Sequence, residues 1–343
     1  MKAVFISRHG GAEVLEYGER PTPEAGRGEV RVRIKSCALN RLDIWIRNGL
    51  PRVQIPLPRI LGSDIAGVID QLGKGVTRPK VGTPALITPG IGCGRCRYCR
   101  SGWTSLCNQF TIMGLQRDGG YAEYAVVAAR NVIPISKRYT FEQWAAVPLV
   151  FLTVYHMLVT RATLKKGETI LIHAAGSGVG SAAIQLAKHL GARVITTAGS
   201  DEKLEKAKKL GAWGLIHYRK TDFVDEVKRL TKGKGVDVVF EHIGPETWTG
   251  SLASLSKGGR LVTCGATSGP KAEIDLRFLY TKQLSILGSY IGGDRELRQV
   301  LRLVSSGKLK PVVDSIFPLE EARKAHGKME SRDFFGKIVL TNH

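Results

Sequence analysis

The chain has 343 residues, 43% of them hydrophobic, and a formal charge of +21. That length is too great for one ordinary domain and suits two, and the composition is that of a globular, soluble chain. No apolar run approaches the roughly 18 residues of a membrane span, and the opening MKAVFISRHGG lacks the apolar core of a signal peptide, so a cytoplasmic protein without membrane contact is expected.

The first ~130 residues read as strands. Val30, Val32 and Ile34 alternate with Glu29, Arg31, Arg33 and Lys35, the period of two of a half-buried strand. Further β-rich runs follow at Ala66 to Gln71, Ala85 to Thr88, Tyr121 to Val127 and Asn131 to Ile135, with Gly and Pro between them. The spacing predicts a small antiparallel β domain. Within it, Cys93, Cys96, Cys99 and Cys107 fall inside fifteen residues. Four thiolates on one loop suit a tetrahedral zinc with no open position, which is a structural site. An iron–sulfur cluster or redox thiols are the alternatives.

The pattern changes after Pro134. Phe141 to Val159 can form a helix, which Pro148 should bend or divide. Strand and helix signals then alternate: strands at Thr169 to His173, Arg193 to Thr197, Gly214 to Tyr218, Val236 to Phe240, Arg260 to Cys264 and Ile286 to Tyr290, with helical spacing at Val179 to Leu190 and Ser200 to Leu210. Six strands with helical crossovers predict a doubly wound parallel sheet, hence an α/β fold. The basic cluster Lys203 to Lys209 alternates with Glu202, Glu205 and Leu204, which reads as a solvated helix face and not as a nucleic-acid surface. The last ~50 residues carry a helix near Asp294 to Ser305 and end in the strand-like Lys337 to Thr341.

His173-Ala-Ala-Gly-Ser-Gly-Val-Gly180 lies between a strand and an amphipathic helix. Small residues there let the backbone approach a pyrophosphate, and the helix start supplies free amides. Gly176, Ser177, Gly178, Val179 and Gly180 are the expected phosphate cradle. The end of the next strand reads Thr196-Thr197-Ala198-Gly199-Ser200, without the carboxylate that binds the ribose in NAD sites. Ser200, Lys203 and Tyr218 offer a hydroxyl, an ammonium and a phenol, which suit the 2′-phosphate of NADP(H). Asp201 lies in the first turn of the helix and is expected to point away.

Taken together, Gly62-Ser-Asp-Ile-Ala-Gly67, the four-cysteine loop, Asp118-Gly-Gly-Tyr-Ala-Glu-Tyr124, the Ala-Ala-Gly-Ser-Gly-Val-Gly turn and Gly336-Lys-Ile-Val-Leu340 resemble the medium-chain dehydrogenase/reductase superfamily over nearly the whole chain. The resemblance implies a GroES-like catalytic domain at 1–134 and 293–343 around a Rossmann NADP-binding domain at 135–292. The cysteine loop has the spacing of the structural zinc lobe of zinc alcohol dehydrogenases. The positions of their catalytic zinc ligands fall here on Asn40, Ser63 and on or near Leu149, and that of the relay hydroxyl on Leu42. Asn, Ser and Leu offer no thiolate or imidazole, and Asp43 and Asp64 alone would hold an ion only weakly. This pattern resembles the zinc-independent quinone oxidoreductases, for which the retained cysteines are unusual. The resemblance also implies that Asn40, Thr153, Ile243, Gly265, Ala266 and Lys337 line the cofactor.

The expectation is therefore an NADPH-dependent reduction of an electron-poor carbonyl, quinone or enone, with Asn40 or Ser63 hydrogen-bonding the oxygen. A ketone reductase or alcohol dehydrogenase acting on bulky substrates is the second reading, and a nucleotide-sensing or RNA-binding protein the third. His156 and His173 are proton-donor candidates by chemistry alone. A homodimer or homotetramer is expected, with Ile286 to Tyr290 at the edge of the sheet.

Overall fold

In the computed structural model, which describes residues 1–51 and 53–342, the chain forms two compact units. The first comprises 1–149, 293–298 and 311 onward; the second comprises 150–292 and 299–310.

The first unit is built on a seven-stranded sheet. Its path runs Val132–Pro134, Pro84–Ile87, Asp64–Leu72, Glu29–Ala38, Lys337–Thr341, Val313–Pro318, and Tyr124–Ala128 also pairs with Glu29–Ala38. All pairs are antiparallel except the last two strands of the path, which run parallel. Smaller sheets flank it: Lys2–Ile6 with Leu15–Glu19 and Arg59–Ile60, and Gly90–Ile91 with Thr111–Ile112. The alternation read in the sequence is what buries the strand Glu29–Ala38: Val30, Val32 and Ile34 are fully buried, while the charged residues between them are not. The strands Lys2–Ile6, Leu15–Glu19 and Val313–Pro318 carry weaker alternation and escape a reading by period. So does the helix Arg41–Asn48, whose short length leaves too few turns to register.

The second unit holds six parallel strands: β1 (Thr169–Ile172), β2 (Arg193–Ala198), β3 (Gly214–His217), β4 (Val236–Glu241), β5 (Leu255–Thr263) and β6 (Ser285–Gly288). Their order is β3-β2-β1-β4-β5-β6, with the direction of build reversing beside β1. In such a sheet ligands bind at the carboxyl ends of the strands near that switch point. The crossover helices are α1 (Gly178–His189), α2 (Asp201–Leu210), α3 (Phe223–Leu230), α4 (Pro245–Ala253) and α5 (Leu276–Thr281). Leu171, Ile195, Ile216, Val239 and Leu261, one from each of β1 to β5, pack into one core on the sheet. The fold is thus α/β, a Rossmann sheet with a GroES-like β unit.

Pro148 does divide the apolar helical stretch: Phe141–Ala145 and Pro148–Tyr155 are separate helices, and π-type turns carry on through His156–Arg161. The stretch qualifies the expectation about apolar runs. At 21 residues, 141–161 is long and apolar enough to cross a membrane, yet 67% of its most apolar window is buried inside the protein. A core helix meets the same criterion of length and composition.

Candidate functional site

In the second unit, the turn after β1 is shaped by local hydrogen bonds. The Ser177 hydroxyl caps α1, accepting from the Gly180 N–H at 2.9 Å and donating to the Ala174 carbonyl at 2.9 Å. A Cβ on Gly180 would stand 2.2 Å from that carbonyl, so only glycine fits. The remaining N–H groups of the first turn have no intrahelical partner, and the twelve-residue helix points its positive dipole end at the same place. Such a turn suits a pyrophosphate.

At the end of β2, Ala198 is buried and Ser200 caps α2, accepting from the Lys203 N–H at 3.3 Å. Tyr218 and Arg219, following β3, close over Gly199: a Cβ there would lie 2.6 Å from the Tyr218 hydroxyl and 3.2 Å from Arg219 Nε. Asp201 turns to Lys220 at 2.7 Å, and that hydrogen bond holds its carboxyl below the usual range. The structure therefore brings Ser200, Tyr218 and Arg219 to one strand end, with the Lys203 backbone beside them in the first turn of α2. Arg219 adds a cation beside the residues that the motif alone selects.

The loop after β4 is organised by a residue that motif reading passed over. Glu241 is fully buried and accepts from the N–H groups of Ile243 (2.6 Å) and Gly244 (3.1 Å) and from the hydroxyls of Thr247 (2.9 Å) and Ser251 (2.7 Å). Burial raises its carboxyl, while the hydrogen bonds from Ser251, Ile243 and Thr247 pull it down, and the net direction is low. A carboxylate directly after three apolar residues at the end of the strand run Val236-Asp-Val-Val-Phe-Glu241 was the available signal. The Ile243 carbonyl accepts from both the N–H and the hydroxyl of Ser268, which ties this loop to the one carrying Gly265 and the exposed Ala266. Thr153 lies half-buried in Pro148–Tyr155.

His173 is spent within this network. It is 1% exposed. The single Ser251 hydrogen goes to Glu241, so the His173 Nε2–H donates to Ser251 Oγ at 2.9 Å, and burial lowers the imidazole to about 4. A neutral, fully engaged core histidine follows. His156 is likewise buried.

In the first unit, three strands deliver the polar cluster. Ala38 pairs with Asp64 on one side and with Val339 on the other. This register places Asn40, Asp64 and Lys337 together, although 24 and 297 residues separate Asn40 from its two partners. Asn40 Nδ2 donates to Asp64 Oδ2 at 2.9 Å; the Lys337 ammonium donates to Asn40 Oδ1 at 2.6 Å and to Asp64 Oδ2 at 2.9 Å. The Leu149 N–H completes Asp64, donating to Oδ1 at 2.7 Å. Asp43, also fully buried, accepts from the N–H groups of Asn40 and Gly62 and from the Tyr121 hydroxyl. Burial lifts its carboxyl to about 6 against the pull of the Asn40 N–H, Lys337 and Tyr121.

Ser63 joins this neighbourhood differently from the expectation. It is fully buried and its hydroxyl donates to the Met113 carbonyl at 2.8 Å. Its one hydrogen is committed to the backbone, so it has none to offer a substrate oxygen.

The four cysteines converge as the spacing implies. Their sulfur atoms all lie within 4.8 Å of one another, with Cys93 and Cys99 Sγ 3.9 Å apart. A tetrahedron with sulfur 2.3 Å from its centre has edges of about 3.8 Å. Backbone N–H groups of Cys96 and Gln109 donate to the Cys93 and Cys107 sulfurs at 3.4 Å each, which favours thiolates. The donor set fits a closed, structural zinc. Among the described residues this is the one group of three or more Cys, His, Asp or Glu side chains arranged to hold a metal ion.

Comparison with known proteins matches residues 26–137 to the alcohol dehydrogenase GroES-like domain and 178–306 to the zinc-binding dehydrogenase family. A quinone oxidoreductase of Pseudomonas aeruginosa is 34% identical over 348 residues, covering 99% of each chain. An alcohol dehydrogenase of Geobacillus stearothermophilus is 34% identical over 345 residues, again 99% of each. The crystal structure of an NAD-dependent alcohol dehydrogenase superposes with a TM-score of 0.97 at 45% identity, over 100% of both chains.

Proposed function

The chain belongs to the medium-chain dehydrogenase/reductase superfamily, as a zinc-binding dehydrogenase with a GroES-like domain, and on that premise we propose that this oxidoreductase uses NADPH to reduce an electron-poor carbonyl, quinone or enone without a catalytic zinc. The observation that carries the proposal is the donor set around Asp64. Asn40 presents an amide, Ser63 a hydroxyl already bound to Met113, and Leu149 a backbone N–H already bound to Asp64. None of these is a zinc ligand of useful affinity. A conjugated acceptor needs a metal less, because it spreads the negative charge that develops as hydride arrives.

The nicotinamide cofactor, when bound, supplies two electrons as hydride. The chain's residues hold the rest: the Ser177–Gly180 turn takes the pyrophosphate, and Asn40 donates a hydrogen bond to the acceptor oxygen. Preference for NADPH follows from Ala198, which leaves room for a 2′-phosphate where a carboxylate would repel it, and from the Ser200, Lys203 and Tyr218 cluster. A second reading, alcohol or ketone chemistry with NAD(H), is favoured by the likeness to the NAD-dependent alcohol dehydrogenase.

One experiment separates them. Cofactor binding is titrated by fluorescence in the parent, Lys203→Ala and Ala198→Asp proteins, and NADPH and NADH oxidation is followed with a quinone and with a bulky ketone. The expected result is NADPH favoured roughly tenfold or more over NADH, lost in Lys203→Ala, reversed in Ala198→Asp, with faster turnover of the quinone. Equal affinities in the parent, or turnover confined to ketone with NADH, would establish the second reading.

A further inference from the structure

Glu241, the last residue of β4, and His173, which follows β1, are ionisable, fully buried and unused by the proposed chemistry. The hydrogens between them run in one direction. A carboxylate only accepts, so the Ser251 hydroxyl gives Glu241 its single hydrogen and accepts from His173 Nε2–H. A neutral imidazole carries one N–H, so His173 Nδ1 is left as an acceptor and takes the Thr197 hydroxyl hydrogen at 3.4 Å. Thr197 Oγ1 in turn accepts from the Ala174 N–H at 3.1 Å.

Each end of this chain of hydrogen bonds holds a backbone segment. At one end, Glu241 Oε1 takes the N–H groups of Ile243 and Gly244 in the loop after β4. At the other, Thr197 takes Ala174, which opens the glycine turn after β1. Ala174 has a φ of +50°, the left-handed region that is costly for a residue with a Cβ. Its carbonyl is pinned as well, accepting from the Ser177 N–H and hydroxyl at 2.9 Å each. A second tie joins the same two segments, the His242 Nε2–H donating to the His173 carbonyl at 3.1 Å. A strained residue persists only where its surroundings over-determine it, and such residues cluster at ligand sites.

We infer that Glu241 is a positioning residue of the cofactor site, which through Ser251, His173 and Thr197 fixes the loop after β4 and the Ala174 turn in the relative placement that receives one nucleotide. The inference rests on the reading that a nicotinamide cofactor lies along these strand ends. Glu241 acts by setting the polarity of every hydrogen in the chain. None of these residues belongs to the 2′-phosphate corner, so NADPH and NADH depend on Glu241 equally.

Glu241→Gln tests this because it keeps the shape and reverses the polarity. The new amide oxygen can keep both loop N–H groups, and its NH2 group then faces Ser251. The Ser251 hydroxyl must turn to His173 Nε2, the imidazole hydrogen must move to Nδ1, and the Thr197 hydroxyl loses the acceptor it had. Nitrogen NMR of histidine-labelled protein separates the two tautomers, with the His173 signals assigned by their absence in His173→Gln. The parent should show Nε2–H and Glu241→Gln should show Nδ1–H. NADPH and NADH affinities, titrated by fluorescence, should both weaken about tenfold or more in Glu241→Gln. Should that variant fail to fold, Ser251→Ala cuts the same chain without touching the loop N–H groups, and it should weaken both cofactors by a similar factor. An unchanged His173 tautomer in Glu241→Gln overturns the inference. So do affinities within about twofold of the parent, the mark of a purely structural carboxylate, and a loss confined to NADPH. If the parent itself prefers NADH, the NADPH reading fails, and equal losses of both cofactors in the variants still support the positioning role.

Discussion

His326 resembles His173 in its isolation. It is fully buried, donates from Nε2 to the Tyr121 oxygen and accepts at Nδ1 from Arg47, and burial together with the Arg47 charge lowers it to about 3. Both imidazoles must stay neutral in the folded protein, whereas the unfolded chain protonates them near pH 6.5. Their contribution to stability is complete above pH 6.5 and is lost as pH falls, through about 4 for His173 and about 3 for His326. At roughly 1.4 kcal/mol per unit, His173 alone withdraws about 3 kcal/mol across its window. Asp43 runs the other way: with its carboxyl lifted to about 6, it regains stability as pH falls from 6 toward its unfolded value. Two histidines outweigh one aspartate, so urea midpoints should decline from pH 7 to 4.5. His326→Gln should flatten that slope whatever it does to the midpoint at pH 7, and an unchanged slope would mean that these histidines are not the acid-labile groups.

At the scale of elements, the cysteine loop is the clearest dependency. The helix Arg97–Ser101 has only five residues, and no residue in it is buried. Helices so short do not persist by propensity. What holds the loop is convergence of Cys93, Cys96, Cys99 and Cys107, and a metal at that point would supply folding energy outright. The purified protein should contain one zinc per chain by elemental analysis. Cys96→Ser should lose it and lower Tm by roughly 3–4 °C, the equivalent of about 2–3 kcal/mol in a protein of this size. A second tightly held zinc in the parent would contradict the proposal of a metal-free catalytic centre.

At the scale of the whole molecule, the second unit ends its sheet on an open edge. Ile286 on β6 is 37% exposed, and the nearby Leu276 and Tyr280 of α5 are about two-thirds exposed. An apolar edge strand offers its unpaired backbone to a second copy. A homo-oligomer formed through β6 is therefore proposed. Light scattering at micromolar concentration should give a dimer or larger species, and Ile286→Lys should shift it toward monomer with the secondary structure intact. A parent protein that is already monomeric would refute the edge-pairing interface.

The sequence by itself determined the elements whose signal is local. Period-two alternation marked Glu29–Ala38, helical spacing marked α1 and α2, and the helix Asp294–Ser305 and the strand Lys337–Thr341 were legible to the residue. The cysteine site was equally legible, because four ligands on one loop need no tertiary information to meet. The polar cluster was not. Asn40, Asp64 and Lys337 meet only because three strands pair in one register, and a strand register is a long-range choice that a local pattern does not encode. The same reason explains Ser63: its motif put it beside the site, but only the packed chain shows its hydroxyl turned to the Met113 carbonyl. Residue types were written in the sequence; which hydrogens remain free to act was decided by the fold.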